Sequence, residues 1–358
     1  MNITRHEHPA SPSDPGFALV EAEAALWRGV VVDMFGDEDL ADGPLARWSE
    51  GSRPSYFQHV RYAARTDDGR VVGVGRLELP QRDNLHRAGM SIVVDPAFRH
   101  AGVGTSLHAA MLDEARRGGR RTFEAFTWEP LEPTGPRRLS GVEGDGVIDP
   151  DGEPAAFLLG LGYRLVQVET LSGLDLPAQA DLDRDVAEAR AVVPEEYSLV
   201  QWRGVTPAEW RSDMAELQVA MSTDVPMGDA DAEPSVVDPE RVRSADESFL
   251  AGGRDLLFTA ARHDPTGRLV AFTRLVHEQG RPVADQWETL VVQAHRGHGL
   301  GLLTKTANHA AVPQAWPDVR RLITGNASEN RWMLTINRRL GYRPVAACGW
   351  FERRLETP

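Results

Sequence analysis

The chain has 358 residues, which is long for a single hydrophobic core, so two domains of ordinary size are expected. Its 41% hydrophobic and 26% charged content are those of a globular protein. The formal net charge of −14 argues against general nucleic-acid binding, which needs a basic surface. The single cysteine, Cys348, excludes an internal disulfide framework and a cysteine-based metal cluster.

Two further features bear on where the protein works. No run of 18 or more apolar residues occurs, and the first eight residues lack the apolar core of a signal peptide. A cytoplasmic protein without a membrane partner is therefore expected. The acidic charge would favour the approach of a cationic substrate, although solubility alone is an equal explanation for it.

In chain order, the first half alternates helices with short strands. Residues 1–16 hold three prolines and little to bury, which predicts a mobile tail. A helical pattern covers residues 17–52. Apolar residues at helical spacing from Val103 to Met111 predict a further helix. The strands predicted around these helices are residues 56–65, 71–79, 88–94 and 121–127.

The second half repeats this order. Corresponding arginines keep a nearly constant spacing, 268 − 70 = 198 from Arg70 to Arg268 and 321 − 121 = 200 from Arg121 to Arg321, which indicates a duplicated unit. The predicted organisation is listed by residue range: a tail over 1–16, a first domain over 17–175, a linker over 176–196 and a second domain over 197–358.

Both halves carry a glycine-rich turn between a strand and a helix. The turns read Arg-x-x-Gly-x-Gly, from Arg99 to Gly104 and from Arg296 to Gly301, at an offset of 296 − 99 = 197. The first N–H groups of a helix have no partner within it, and the helix dipole favours a negative charge there. Glycines let the backbone close on a phosphate, so both turns predict anion sites.

These turns resemble the pyrophosphate-binding loop of the GNAT superfamily of acyl-CoA N-acyltransferases, whose pattern is Arg/Gln-x-x-Gly-x-Gly/Ala after a strand. The chain is similar to a tandem pair of GNAT domains, a layout shared with mycothiol synthase. The resemblance implies an α/β fold of two tandem domains, each a mixed, mostly antiparallel twisted sheet with helices on both faces. It also implies acetyl-CoA as co-substrate, and no metal. The residues that it suggests for CoA are Val291, Val292, Arg296, Gly297, His298, Gly299, Leu300, Gly301, Asn326 and Asn330.

The second half is the better equipped for catalysis. In the GNAT pattern, a helix after the fifth strand carries an asparagine that contacts CoA and then a tyrosine that often protonates the leaving sulfur. Asn330 matches the asparagine, whereas Asn337 stands where the tyrosine would be. An amide is no acid at neutral pH, although it can hydrogen-bond a sulfur. In the first half the matching positions are Asp151 and Leu158, so the first domain is expected to be non-catalytic.

Carboxylates that could act on an amine also lie in the second half. Asp285 and Glu288 precede the second glycine turn and could face the amine or order a water. Glu288 is the preferred candidate for this catalytic role. Asp224, in an acidic stretch after Met221, is the candidate for binding an ammonium substrate, and a solvated acidic loop is the alternative interpretation.

With these residues, the resemblance implies an N-acetyltransferase that moves an acetyl or related acyl group from acetyl-CoA to a primary amine of a small molecule by direct attack. A monomer or a homodimer would suit this activity. One alternative is an acyltransferase that makes an amide in a larger metabolite, as in mycothiol synthase. Another is a CoA-binding sensor or scaffold without turnover, which the missing tyrosine at Asn337 keeps open. The acceptor is not identified by the sequence, because acceptor loops vary freely on one fold.

Overall fold

The structure, a computed structural model, describes residues 2–53 and 55–355. The chain divides into two compact units, each assembled from separate stretches. The first unit holds Met1–Glu169, Gly228–Glu233 and Ala347–Pro358, and the second holds Thr170–Met227 and Pro234–Ala346. Residues 176–196, predicted to be a linker, thus belong to the second unit. Within residues 2–53 and 55–355, no helix combines the length and apolar character needed to cross a bilayer.

The first unit is a sheet with helices on both sides. Its helices are α1 (Phe17–Phe35), α2 (Pro44–Glu50), α3 (Val103–Arg117) and α4 (Glu153–Gly160). Its strands are β1 (Asn2–Glu7), β2 (Phe57–Arg65), β3 (Val71–Pro80), β4 (Arg87–Val94), β5 (Thr122–Pro130) and the short pair β6 (Leu139–Ser140) and β7 (Val147–Ile148). Strand β8 (Arg164–Asp175) begins in this unit and ends in the second.

The second unit repeats the arrangement. Its helices are α5 (Gln179–Arg190), α6 (Arg211–Asp224), α7 (Pro239–Ala251), α8 (Leu300–Ala315) and α9 (Arg331–Arg339). Its strands are β9 (Tyr197–Arg203), β10 (Arg254–His263), β11 (Arg268–Glu278), β12 (Val283–Val291) and β13 (Arg321–Ala327). The last strand, β14 (Arg343–Arg354), begins here and ends in the first unit, where it lies next to β5.

The alternation of apolar residues along each strand explains why helices cover both faces. On β10, Leu256 and Phe258 pack with α6 and α7, whereas Leu257 and Ala261 pack with α8. On β2 of the first unit, the side chains of Tyr62 and Ala64 lie in the cluster of α3, and Ala63 between them lies in the cluster of α1. Each sheet therefore buries two faces, as the sequence predicts.

The mobile tail predicted over residues 1–16 is wrong for residues 2–7. These residues form β1, which pairs antiparallel with β2 from Asn2 opposite Arg65 to Glu7 opposite Val60. The segment has no clear apolar alternation, because an edge strand is held largely by ladder hydrogen bonds to its neighbour. Ile3 adds an apolar contact to the core.

Candidate functional site

In each unit, two neighbouring parallel strands pair only where they begin. Strands β12 and β13 pair from Val283 opposite Arg321 to Gln286 opposite Thr324. Strands β4 and β5 pair only over the first three residues of β4. Beyond these pairs the strands continue without a common ladder, so a wedge opens between them. Backbone groups along the wedge need partners, which a bound molecule can supply.

The two glycine turns have the same backbone conformation. In the second turn φ is +84° at Gly297 and +77° at Gly299, and in the first turn it is +58° at His100 and +78° at Gly102. Neither of the helices that follow, α8 and α3, has a side-chain cap. Both turns therefore leave the first N–H groups of their helices without a side-chain cap, which is the feature on which the predicted anion sites depend. His100 adopts a left-handed conformation that costs a non-glycine residue about 1–2 kcal/mol.

The second turn is framed by packing on both sides. Leu300, the first residue of α8, is buried, and a Cβ at Gly301 would lie 3.4 Å from Ile336 of α9. A Cβ at Gly299 would lie 3.3 Å from Val193, just beyond α5. His298 stacks at an angle on Tyr197, with ring centres 5.6 Å apart. These contacts fix the turn without closing Gly297, whose Cβ position is open.

Arg296 joins two predicted site residues. Its Nη2 donates to Asp224 Oδ2 at 2.8 Å, and its Nε donates to the Val291 carbonyl at 3.0 Å. Asp224, predicted to bind an ammonium group, thus lies against the turn predicted to bind phosphate. This placement does not support the amine-binding role, because the carboxylate is neutralised by Arg296 and would repel a phosphate there.

A carboxylate, that of Glu153, lies against the Arg99 and His100 side chains of the first turn. Arg99 Nη1 lies 2.6 Å from one oxygen of Glu153, and His100 Nε2 lies 2.7 Å from the other. Glu153 is the first residue of α4, whereas the corresponding helix α9 begins with Arg331. An anion at the first turn would have to displace Glu153, and an anion at the second would have to displace Asp224.

The β-ladder shows which backbone groups face the wedge. Neighbouring residues of a strand direct their N–H and C=O groups to opposite sides. Val292 N donates to Val270 of β11 and its carbonyl accepts from His295 N, so the Val292 N–H is not available to a ligand. The Val291 groups face the other way, towards the wedge, and its N–H is the group left for a ligand, since its carbonyl bonds Arg296.

A β-bulge sits at the preferred catalytic carboxylate. The register between β11 and β12 shifts between Thr273 and Leu275, so that Trp287 and Glu288 together oppose Arg274. Bulges re-aim side chains and are frequent beside active sites. The matching ladder of the first unit, β3 with β4, runs without a shift.

Arg274 holds Glu288 through both carboxylate oxygens. Its Nε and Nη2 donate at 2.9 and 2.5 Å, and the Glu288 side chain stays a quarter exposed. An ionised carboxylate has about four lone-pair sites, so acceptor capacity remains for an amine or a water. The other candidate, Asp285, faces Arg281 at 3.6 Å.

The sequence reasoning missed Asp246 of α7, which lies near this pair. Asp246 Oδ2 accepts from Thr206 N at 2.9 Å, and Oδ1 is 3.9 Å from Arg274 Nη1. Burial raises the pKa of Asp246. The sequence contained a signal for this residue, because Asp246 lies at helical spacing from Val242 and Phe249. An acidic side chain on the buried face of a helix is unusual and needs a partner.

A buried polar chain lies on the α8 and α9 side of the wedge. Asn337 Nδ2 donates to Asn326 Oδ1 at 2.6 Å, and Asn337 Oδ1 accepts from Lys305 Nζ at 2.6 Å. Asn330 caps α9, since its Oδ1 accepts from Met333 N at 3.2 Å. The structure thus brings Asn326 and Asn337 together and gives Asn330 a structural bond as well. Lys305 was hidden from the sequence reasoning by the apolar stripe of α8.

The first unit has different residues at the corresponding positions. Leu158, at the position of Asn337, is part of the hydrophobic core. His108, at the position of Lys305 by the offset of 197, bonds the Tyr163 hydroxyl at 3.0 Å. That hydroxyl in turn donates to the Met90 sulfur at 3.6 Å. A polar chain like that of the second unit is therefore missing among these described residues.

Comparison with known proteins relates the chain to one family of enzymes. Residues 27–133 match the model of the "Acetyltransferase (GNAT) family". No curated protein matches the chain in sequence. Over the whole of both chains, the structure is similar to a tandem GNAT protein from the clavulanic acid biosynthesis pathway, at 27% identity and a TM-score of 0.75. A GCN5-related N-acetyltransferase from Sphaerobacter thermophilus is similar in fold, with 14% identity, a TM-score of 0.61, and coverage of 99% of this chain and 96% of that one.

Proposed function

The chain is a tandem protein of the GNAT acetyltransferase family, and from this premise we propose that its second unit transfers an acetyl group from acetyl-CoA to a primary amine of a small molecule. The family and the fold are those of acyl-CoA-dependent acyltransferases. The amine acceptor, the direct attack and the choice of unit are the proposed parts.

One observation carries the choice of unit. In the second unit, the wedge between β12 and β13, the uncapped turn at Gly299 and a bulged carboxylate at Glu288 occur together. The first unit has a wedge and a turn, but its ladder is unbulged. The arginine of each turn pairs with a carboxylate, Glu153 in the first unit and Asp224 in the second, so the bulge at Glu288 is the feature that separates the two units. The match to the family model lies in the first unit and supports its ancestry; we propose that this unit is non-catalytic.

The second unit suits the binding of CoA in an extended form. The N–H groups from Gly297 to Gly301 and the Arg296 guanidinium would hold the pyrophosphate, with Asp224 giving way. The free N–H of Val291 would pair with the pantetheine arm inside the wedge. Asn326 and Asn330 line the opposite side, on β13 and at the start of α9. A helix dipole alone supplies about 0.3–1 kcal/mol, so several N–H bonds must act together.

Glu288 is the proposed acceptor of the amine proton. Presenting a lysine-like amine in neutral form at pH 7 costs about 4–5 kcal/mol, given its pKa of about 10.4. A positioned base contributes about 10²–10⁴-fold, and alignment of two substrates contributes about 7–11 kcal/mol. Trp287, which is 43% exposed beside Glu288, offers an aromatic face to the acceptor.

Calorimetric titration of acetyl-CoA into the full chain tests this proposal. We expect one equivalent to bind to the wild type, and Gly299→Asp to abolish binding, because the new side chain strains φ of +77° and meets Val193. Gly102→Asp is the matched control at the first turn, where φ is +78°, and should leave binding intact. Loss of binding in Gly102→Asp alone would assign the site to the first unit instead.

Turnover separates an enzyme from a sensor. We expect purified protein to release CoA faster in the presence of a suitable primary amine than in its absence, across a screen of amino sugars, aminoglycosides and peptides. Gly299→Asp is the negative control in this assay, because a variant that cannot bind acetyl-CoA should release no CoA. Binding of acetyl-CoA with no amine-dependent release would favour the CoA-sensing alternative.

A further inference from the structure

Lys305 of α8 is a buried cation with no anion beside it. It is 1% exposed, its Nζ donates to Asn337 Oδ1 at 2.6 Å, and it lies 5.2 Å from the centre of the Tyr342 ring. Among the residues that the structure describes, no carboxylate forms an ion pair with it. Burying a charge without a counter-charge is costly, so the position calls for a functional reason. An ammonium has three donors, and Asn337 takes one.

The surroundings leave Lys305 as the group that exchanges protons near neutral pH. Burial lowers its pKa to about 7. His309, one turn further along α8, has its pKa lowered to about 3 by burial and by the charge of Lys305, so it is neutral at pH 7. Burial raises the pKa of Tyr342, whose hydroxyl lies 3.2 Å from His309 Nε2, and this weakens it as an acid.

The polar chain links Lys305 to the wedge. An ammonium can only donate, so Asn337 presents its oxygen to the charged form of Lys305 and its NH₂ group to Asn326. Asn326 lies on β13 beyond Thr324, the last residue that pairs with β12, and is therefore on the open arm of the wedge. The side chain of Asn337 thus separates the ammonium from Asn326 and from the wedge proposed for the pantetheine arm.

We propose that Lys305 stabilises and protonates the thiolate that leaves acetyl-CoA. This inference rests on the proposed function of the second unit. The amine nitrogen attacks the thioester carbonyl carbon and the new C–N bond forms. Breaking of the C–S bond leaves its electron pair on sulfur, which takes a proton from the Lys305 ammonium and becomes the CoA thiol. The proton lost by the amine passes to Glu288, and exchange with solvent restores both groups, so that acetyl-CoA and amine give amide and CoA.

The acid strength of the group fits this step. A free thiol has a pKa of about 8.5, so transfer from an ammonium with a pKa near 7 to a thiolate is downhill. A solvent-exposed lysine, at about 10.4, would be too weak an acid for a downhill transfer. The amide of Asn337 has no acidic proton, and its role here is to position Lys305.

The bound product reports on Lys305 without any acceptor amine. Ionisation of the CoA thiol in the complex can be followed by the ultraviolet absorbance of the thiolate as pH is raised. We expect the thiol to ionise at a lower pH in the wild-type complex than in free CoA, by about 1 unit, because a nearby cation favours the thiolate and one side chain separates the two groups. Lys305→Met, which keeps the length of the side chain and removes the charge, should abolish that shift.

Two further variants separate charge from proton donation and from packing. Lys305→Arg keeps the positive charge but cannot give up a proton. This variant should therefore keep part of the shift in the pH at which the bound thiol ionises, and its kcat should be lower than that of the wild type. His108→Met, at the equivalent position of the first unit, should change neither property. Equal thiol ionisation in wild type and Lys305→Met, with CoA bound to both, would overturn the role of Lys305 alone. Absence of CoA binding to the wild type would overturn the proposed function as well.

Discussion

At the scale of single residues, Glu288 is held by a guanidinium that is itself enclosed by aromatic rings. Arg274 lies 5.0 Å from the ring centres of both Phe249 and Trp287. A charge stacked in this way keeps a fixed orientation, which passes to the carboxylate that it binds at two points. The site is therefore pre-organised on the side where we propose that the amine approaches.

Glu288→Gln should lower kcat by about 10²-fold or more, because a positioned base contributes about 10²–10⁴-fold. Binding of acetyl-CoA should be unchanged, as measured by calorimetry on the same protein. Asp285→Asn is the control, since Asp285 is the alternative carboxylate and pairs with Arg281 instead. A large loss in Asp285→Asn, with Glu288→Gln near wild type, would exchange their roles.

Another buried carboxylate, Glu23 of α1, acts on stability. Burial by itself would raise its pKa, but the Arg61, Arg76 and Arg47 guanidinia outweigh burial and lower the pKa from 4.5 to about 2. Because the folded-state pKa is depressed, the stabilisation is complete above about pH 4.5 and is lost as pH falls towards 2. It amounts to about 3 kcal/mol at neutral pH.

We therefore expect Glu23→Gln to lower the free energy of unfolding of the first unit by about 3–5 kcal/mol at pH 7, since it leaves buried arginines without an anion. The difference in the free energy of unfolding between the wild type and Glu23→Gln should become smaller between pH 4.5 and pH 3, as measured by urea unfolding. Glu21→Gln, an exposed neighbour on the same helix, should have little effect. A gap that is independent of pH would contradict the assignment.

At the scale of elements, the segment Gly228–Glu233 lies between α6 and α7 in sequence but packs within the first unit. Thr122 donates to Asp231 Oδ2 at 2.7 Å, and Asp231 N donates to Glu352 at 2.9 Å. Arg164 forms an ion pair with Asp229. Gly228, at φ of +55°, brings the backbone close to Val166, whose carbonyl oxygen would lie 2.4 Å from an added Cβ.

Gly228→Ala should destabilise the protein much more than Gly204→Ala. Both positions have positive φ, but Gly204 has open space around its Cβ position. Left-handed strain costs about 1–2 kcal/mol in each, and the clash at Gly228 adds about 1–3 kcal/mol. Urea unfolding of the two variants measures the difference, and equal losses would mean that the segment yields to the added methyl group.

The fold was largely predictable from the sequence, and the parts that were not share a physical cause. The local alternation of apolar and polar residues predicts the strands. The spacing of glycines and arginines predicts the two turns and the duplication. Strand β1, the segment around Asp231 and the pairing of Lys305 with Asn337 depend on partners that are distant along the chain. The bulge at Glu288 depends on how β11 and β12 meet, which period-two alternation does not encode.

At the scale of the whole molecule, the first unit is completed by the end of the chain. Ala347 and Phe351 of β14 are buried in its core, and Leu355 N donates to the Arg121 carbonyl at 2.8 Å. Strand β8 likewise carries Leu174 into the core of the second unit. The units are therefore not interchangeable with the two halves of the sequence.

A chain that ends at residue 346 should lack a stable first unit. It would lose the Phe351 side chain, and removal of one buried Phe side chain alone costs about 3–5 kcal/mol. Hydrogen exchange of the β5 amides should rise sharply in this truncation and stay at the wild-type level in a chain that ends at residue 355. Protected β5 amides in the shorter chain would show that the first unit folds without β14.

Strand β14 also determines when, during synthesis, the first unit can finish folding. The continuous part of the first unit ends at Glu169, and its last strand resumes at Ala347, 347 − 169 = 178 residues later. At about 5–20 residues per second, the ribosome needs roughly 9–36 s to make that stretch. During this interval the edge of β5 in the nascent first unit lacks its neighbour β14. The apolar surface exposed there can bind chaperones or a neighbouring nascent chain. Translation speed through the second half thus becomes a determinant of how much of the first half reaches its native state.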